Sequence, residues 1–431
     1  MNMIRPKDRD LIVQALRAGV VPHAGQHLIQ VGRAKEVEVM LRDVERIGEG
    51  GAVFRIVIGE YGAGKTFFLN LIRATAMAQK LVTVHADLNP DRRLQGSGGQ
   101  ARSLFAELMK NLSTRAKPDG GALSGVVEKF VVQAKTDSKT QGVPLEDVIR
   151  ARLNPLTDMV GGYDFADVLA TYARAFEDGN DKLKADAVRW LRGEFTTKTE
   201  ARAALGVRTI IDDDQMYDFL KLFARFVRLA GFGGLLVCLD ELVNLYKLVN
   251  RQARDNNYEQ ILRILNDVLQ GTTEGVGFLL GGTPEFLLDS RRGLYSYPAL
   301  QSRLAENTFA AKAGLVDYSG PVLRLTSLTP EDFYVLLQKL RHVYAFGDPA
   351  KYLLPDEGIE AYMAHTAKRL GEAYFRTPRT TITAFLNLLA LLEQHPGTDW
   401  RPLLDAVSIE ADTGAALEQP VDSDDLASFK L

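Results

Sequence analysis

Residues Val53–Leu71, VFRIVIGEYGAGKTFFLNL, decide the fold. Phe54, Ile56, Val57 and Ile58 form a short apolar, β-branched run, the pattern of a strand buried on both faces. Gly59–Thr66 then satisfies G-x-x-x-x-G-K-[ST] without a mismatch. Phe67, Phe68, Leu69, Leu71 and Ile72 open an apolar helix. The chemistry explains the spacing. Backbone N–H groups must converge on a triphosphate, so the loop needs residues without obstructing Cβ atoms. The helix that follows points its partial positive end at the phosphates. Lys65 is placed to reach the β- and γ-phosphates, and the Thr66 hydroxyl to ligate Mg²⁺. The expected nucleotide-binding wall is Gly59, Glu60, Tyr61, Gly62, Ala63, Gly64, Lys65, Thr66 and Phe67, with ATP and Mg²⁺ as its ligands. The competing reading is a glycine-rich turn with a solvated lysine. At background composition the pattern arises by chance in roughly one or two of a hundred such chains. The flanking strand and helix lower that figure.

The chain around this loop has 431 residues, enough for two or three domains, one with a full α/β core. It is 46% hydrophobic and 25% charged, as a globular protein is. A net charge of −3 gives no overall attraction to DNA or to an anionic membrane, so any nucleic-acid contact needs a local basic patch. Cys238 is the single cysteine, which excludes an intramolecular disulfide and fits a reducing, cytoplasmic compartment. The N-terminal stretch with Arg5, Lys7 and Arg9 has no apolar core, so no signal peptide is expected. No apolar run approaches the ~18 residues of a membrane span. The six histidines are scattered, and no zinc site is read from them.

Upstream of the loop, residues 5–18 read as a short amphipathic helix, and Ile29-Gln-Val-Gly32-Arg33 leads into a second helix over 34–47. An apolar-Gly-Arg turn at this distance before a phosphate loop is where ATPases of the AAA+ and related classes seat the adenine, so Gly32 and Arg33 join the candidate site. A simple helix-entry turn is the alternative. Downstream, Leu81–His85 reads as a second strand and 100–112 as a helix, implying a parallel sheet with crossover helices. The loop between them carries Arg92, Arg93 and Gly96-Ser-Gly-Gly99, read as a flexible connector in preference to a substrate loop. Residues 113–214 are too long for a connection inside a sheet and read as a helical insertion. The acidic run Asp212–Asp214 at its end is expected to cap the helix over 215–229.

Gly234-Leu-Leu-Val-Cys-Leu-Asp240-Glu241 is the second strong signal. Five apolar residues make a central strand, and two carboxylates follow at its C-terminal end, where open α/β sheets bind ligands. This is a Walker B pattern: Asp240 would hold Mg²⁺, and Glu241 would orient and polarise the attacking water. A helix over 258–269 and a strand over 275–283 follow. Thr283, at the strand end, occupies the sensor 1 position of AAA+ ATPases; a strand-end turn residue is the alternative. Among Arg291, Arg292 and Arg303, Arg303 is the first choice for an arginine finger that completes a neighbouring subunit's site. Its alternative is a surface arginine pairing with Glu306. Pro321–Leu325 reads as a last strand. Thr329-Pro330 starts a helix cleanly, and helices near 330–345, 355–370 and 379–393 form a lid domain. Arg379, ahead of Arg376, fits the sensor 2 role at the start of a lid helix. The tail from Thr413, with Asp422, Asp424 and Asp425, reads as mobile.

The expected fold is α/β: a P-loop NTPase, AAA+-like, with a parallel sheet, a helical insertion and a C-terminal helical lid. The expected divisions are 1–48 (N-terminal helices and adenine side), 49–112 and 215–326 (the two halves of the core), 113–214 (insertion), 327–412 (lid) and 413–431 (tail). The chain resembles AAA+ ATPases of the origin-recognition kind. More narrowly, it resembles the ATP-binding proteins of bacterial BREX anti-phage systems, the BrxC/BrxD group and most closely its BrxD branch. The stretches GEYGAGKTFFLNLIR, DLNPDRRLQGSGGQARSLFAELMKNL, LLVCLDELVNLYKL with GGTPEF, and TPRTTITAFLNLL carry this resemblance, over roughly residues 25–395.

The resemblance implies an ATPase working in a defence complex on DNA, alongside partners such as a helicase. Self-association is expected from the arginine finger. Two hypotheses follow. One is an oligomeric ATPase that remodels DNA or loads a helicase. The other is a nucleotide-gated switch that binds ATP with little turnover and recruits partners. The intact Asp240-Glu241 pair favours the first, since a pure switch has no need of Glu241. A small-substrate kinase is a third and weaker idea. The local basic candidates for DNA are Arg92, Arg93, Arg251, Arg254, Arg291 and Arg292, each with solvated surface as its alternative.

Overall fold

The structure, a computed structural model, describes residues 3–370 and 378–406. Arg376 and the tail from Thr413 lie outside the described residues. The fold is mixed α/β and compatible with a P-loop NTPase. Five strands, β1 (Ala52–Ile58), β2 (Val82–Asp87), β3 (Leu235–Asp240), β4 (Val276–Gly282) and β5 (Val322–Arg324), form one sheet in the order β2-β3-β4-β1-β5. All the pairings are parallel, with Ile58 opposite Gly282 and Asp87 opposite Asp240. Every residue of β1, β3 and β4 is buried, which is why these strands read as continuous apolar runs. Arg55 breaks the run in β1. Its guanidinium holds the Asp43 carboxylate through two hydrogen bonds of 2.6 and 3.2 Å, and it also reaches the carbonyls of Tyr318 and Gly320.

The chain divides into two compact units, and the sheet belongs to the one formed by residues 35–58 and 68–324. The segment 113–214 contributes five helices: Leu123–Gln141, Leu145–Thr157, Gly162–Glu177, Asp181–Leu191 and Lys198–Leu205. Their apolar residues share one continuous core with the sheet. Edge-on aromatics knit it, among them Phe165 against Phe223 and Phe226 and Trp190 against Phe219, with ring centroids 5.2–5.7 Å apart. One helix is longer than its apolar pattern. Arg251–Gln270 starts seven residues before Tyr258, because the Asn250 side chain accepts the Ala253 N–H and caps an otherwise polar first turn.

The other unit comprises the described residues of 1–34, 59–67 and 325–406. Helices Pro6–Arg17, Pro330–Tyr344, Asp356–Leu370 and Pro378–Gln394 bury Ile12, Phe333, Leu337, Tyr362 and Phe385 in a second core, against which Phe67 packs. Thr329 and Asp332 form a reciprocal capping box at the start of Pro330–Tyr344, with Pro330 in the first turn. No described helix is long and apolar enough to cross a membrane.

Candidate nucleotide site

The loop between β1 and the helix Lys65–Ala78 takes the shape its glycines permit. Gly62 and Gly64 have φ of 77° and 79°, a region that disfavours side chains. The Lys65 ammonium folds over the loop and donates to the Gly59 and Glu60 carbonyls, both at 2.9 Å. Lys65 is half-buried, and Glu60, Tyr61 and Thr66 are exposed. Gly32 and Arg33 are both left-handed, with φ of 58° and 56°. That turn sends the Arg33 guanidinium to the Ala63 carbonyl of the Gly59–Thr66 loop and, at 3.4 Å, to the Thr326 carbonyl. Gly32 lies against the Asp332 carboxylate, where a Cβ would come within 2.9 Å of an oxygen. Arg379, in the first turn of Pro378–Gln394, places its Nη1 3.3 Å from the Tyr61 hydroxyl and its guanidinium 5.6 Å from the ring centre. The residues this unit gathers around the loop are therefore Gly32, Arg33, Lys65, Thr66, Phe67 and Arg379.

The carboxylates stand at the C-terminal end of β3. Asp240 is buried, and one of its oxygens accepts the Glu241 N–H at 2.8 Å. Gly281 of β4 makes room for it: a Cβ there would approach the same oxygen to 2.4 Å. Glu241 is exposed and left-handed, with φ of 58°. A residue without glycine's freedom rarely holds that angle. It turns the chain sharply so that consecutive carboxylates take different directions, one inward and one outward. β4 lies between β1 and β3, so Thr283, which follows it, emerges between their ends. Its hydroxyl accepts the Phe286 N–H at 3.4 Å and caps the short helix Pro284–Leu288.

A polar group around Asp240 was not anticipated. Asp87 pairs with Asp240 in register, and His85 with Cys238. Burial and the neighbouring Asp240 raise the Asp87 carboxyl above its ordinary range, opposed by Arg92. Burial and the Arg73 guanidinium push the His85 imidazole down to about 4, and burial pushes the Cys238 thiol up to about 12. The signal was present in the sequence: Thr83, His85 and Asp87 alternate with Val82, Val84 and Ala86 and so share one face.

The acidic run does something other than expected. Asp213 accepts the Gly99 N–H at 2.7 Å and the Arg102 N–H at 2.8 Å, capping Gln100–Lys110 instead of the helix that follows it. Met216–Leu229 has no side-chain cap. The loop Gly96–Gly99 is thereby tethered, and it lines a polar cavity of about 630 Å³ with Arg93, Arg102 and Asp212–Asp214. Arg303 is exposed and donates to the Ala299 carbonyl at 2.9 Å, while Glu306 pairs with Arg324. Of the basic candidates, Arg92 pairs with Glu107 at 3.2 Å and Arg251 with Asp255 at 3.5 Å. Arg254 is buried and bonds the Leu248 carbonyl, as Arg292 does, so neither is solvated surface.

The family described as BREX system ATP-binding protein BrxC/D matches residues 4–408. The chain belongs to that family. Membership in BrxC/D implies ATP as a ligand and a part in anti-phage defence, within a system whose other proteins are its expected partners. A search among curated proteins finds no match.

Proposed function

We propose that this BrxC/D protein is an Mg²⁺-dependent ATPase of the AAA+ kind that couples hydrolysis to DNA remodelling or to loading a partner such as a helicase. The observation that carries the reading is the pairing of motifs. A complete phosphate loop, Gly59–Thr66, leaves β1, and Asp240-Glu241 leaves β3 with Glu241 held at a costly backbone angle. Oxygen donors suit a hard cation. Thr66 and Asp240 would hold Mg²⁺, and the close approach of Gly281 to the Asp240 carboxylate fits a site built around that group. Bound Mg²⁺ would neutralise phosphate charge.

In this reading Lys65 binds the β- and γ-phosphates, and Glu241 orients and polarises the attacking water. Thr283 contacts the γ-phosphate or the water as sensor 1, Arg379 reaches the γ-phosphate as sensor 2, and Arg303 serves a neighbouring subunit. Gly32 and Arg33 supply the adenine side. The order β2-β3-β4-β1-β5 supports the sensor assignment, because β4, which Thr283 follows, lies between β3 and β1. The exposed Arg303, with no carboxylate partner among the described residues, supports the finger assignment.

The test is steady-state ATP hydrolysis by the purified protein, with and without duplex and forked DNA, beside Glu241→Gln. Turnover that DNA stimulates and Glu241→Gln abolishes is the expected result. Tight ATP binding with no turnover in either condition would replace the ATPase by a nucleotide-gated switch.

A further inference from the structure

The phosphate-loop motif places no demand on the side chain at position 61, yet a tyrosine stands there, 49% exposed. Over its face lies Arg379, which makes one hydrogen bond among the described residues, to the Tyr61 hydroxyl, and no ion pair among them. A guanidinium has five N–H donors in a rigid fork, and the described residues take one of them. Arg379 also sits in the first turn of the 17-residue helix Pro378–Gln394, where the backbone already presents positive charge and the turn itself holds no acidic residue. A cation there is disfavoured unless an anion joins it. Gly19, left-handed at φ 71°, lies beside the aliphatic part of Arg379, to which a Cβ would be 3.5 Å. The side chain is therefore bounded on two sides, by Gly19 and by the Tyr61 ring.

We propose that Tyr61 is a positioning residue: its ring and hydroxyl carry Arg379 across the phosphate loop, and the pair confers preference for a nucleoside triphosphate over the diphosphate. The inference rests on the ATP site proposed above. An aromatic face fixes the guanidinium plane while leaving its N–H edge directed outward. Lysine, a point charge without a planar fork, would not be fixed in that way. Tyr61 thus links the helix that bears Arg379 to the loop that holds the phosphates, and a γ-phosphate would be what that edge engages.

The experiment is competition of ATP and ADP against a fluorescent nucleotide analogue on the full chain, for wild type, Tyr61→Phe, Tyr61→Ala, Arg379→Ala and the double alanine variant. Tyr61→Ala and Arg379→Ala should each weaken ATP by about fivefold and ADP by less than about twofold, and the double variant should lose little more than either single. Tyr61→Phe, which keeps the stack and loses the hydroxyl, should fall between wild type and Tyr61→Ala. Unchanged unfolding midpoints without nucleotide would show that each variant folds. Multiplicative losses in the double variant, or equal losses of ATP and ADP in Tyr61→Ala, would overturn the positioning role. A wild type that binds neither nucleotide would overturn the ATP reading itself. A wild type that binds both equally tightly would leave that reading standing and overturn this one.

Discussion

Glu241 combines a side chain suited to catalysis with a backbone unsuited to its residue type. It is exposed, and its φ of 58° is one of four such angles among the described non-glycine residues, another being at Arg33. Strain of this kind persists where the surroundings impose it. Two substitutions separate its parts. Glu241→Gln should leave ATP affinity within about threefold of wild type and lower turnover by at least about a hundredfold, measured by nucleotide titration beside phosphate release. Glu241→Gly should also lose turnover, yet raise stability by about 1 kcal/mol in denaturant unfolding, because glycine relieves the left-handed angle. The Asp240-Glu241 pair at the end of β3 was legible because two carboxylates after five apolar residues stand out. The alternation of His85 and Asp87 was legible too, but their place beside Cys238 and Asp240 was not, since those residues lie far off in sequence and meet them only through the register of β2 with β3.

Single contacts decide how well several elements are held. Arg55 sits inside β1, and its side chain and that of Asp43 are about 10% and 11% exposed. Removing one partner of such a pair strands the other, so Asp43→Ala should destabilise the protein by about 3–5 kcal/mol. Replacing both by leucine should cost far less, and denaturant unfolding distinguishes the two. His85 supplies a pH dependence. Its imidazole titrates near 4 in the fold, against about 6.5 for a free side chain, because burial and Arg73 disfavour the charged form. The unfolded chain thus binds more protons between these values. Stability should fall as pH drops from about 6.5 towards 4, by up to about 1.4 kcal/mol per unit, and His85→Gln should flatten that slope. Element legibility follows the same physics. Strands buried on both faces announced themselves, whereas the first turns of Arg251–Gln270 did not, because they are polar and rely on the Asn250 cap. The role of Asp213 was not legible in its neighbourhood, because its partners Gly99 and Arg102 lie 114 and 111 residues away.

Across the whole molecule, the β-strand pattern and the two motifs made the α/β class readable from sequence. The shared core of the insertion and the sheet was less readable, since helices with apolar stripes say what they bury and not against what. The inclusion of helix Pro6–Arg17 in the core of the C-terminal helices is of the same kind. Ligand linkage gives a global prediction: at a hundred times its Kd, ATP with Mg²⁺ should add about 2.7 kcal/mol of stability. That gain should vanish in Lys65→Ala, which removes the proposed phosphate contact. The most direct test of the central claim is a single-turnover measurement, with protein in excess over radiolabelled ATP and Mg²⁺ and the bound nucleotide identified over time. Wild type should convert bound ATP to ADP, while Glu241→Gln should retain it as ATP. Equal rates of conversion in the two proteins, or ATP left intact on wild type both alone and with DNA, would contradict the account.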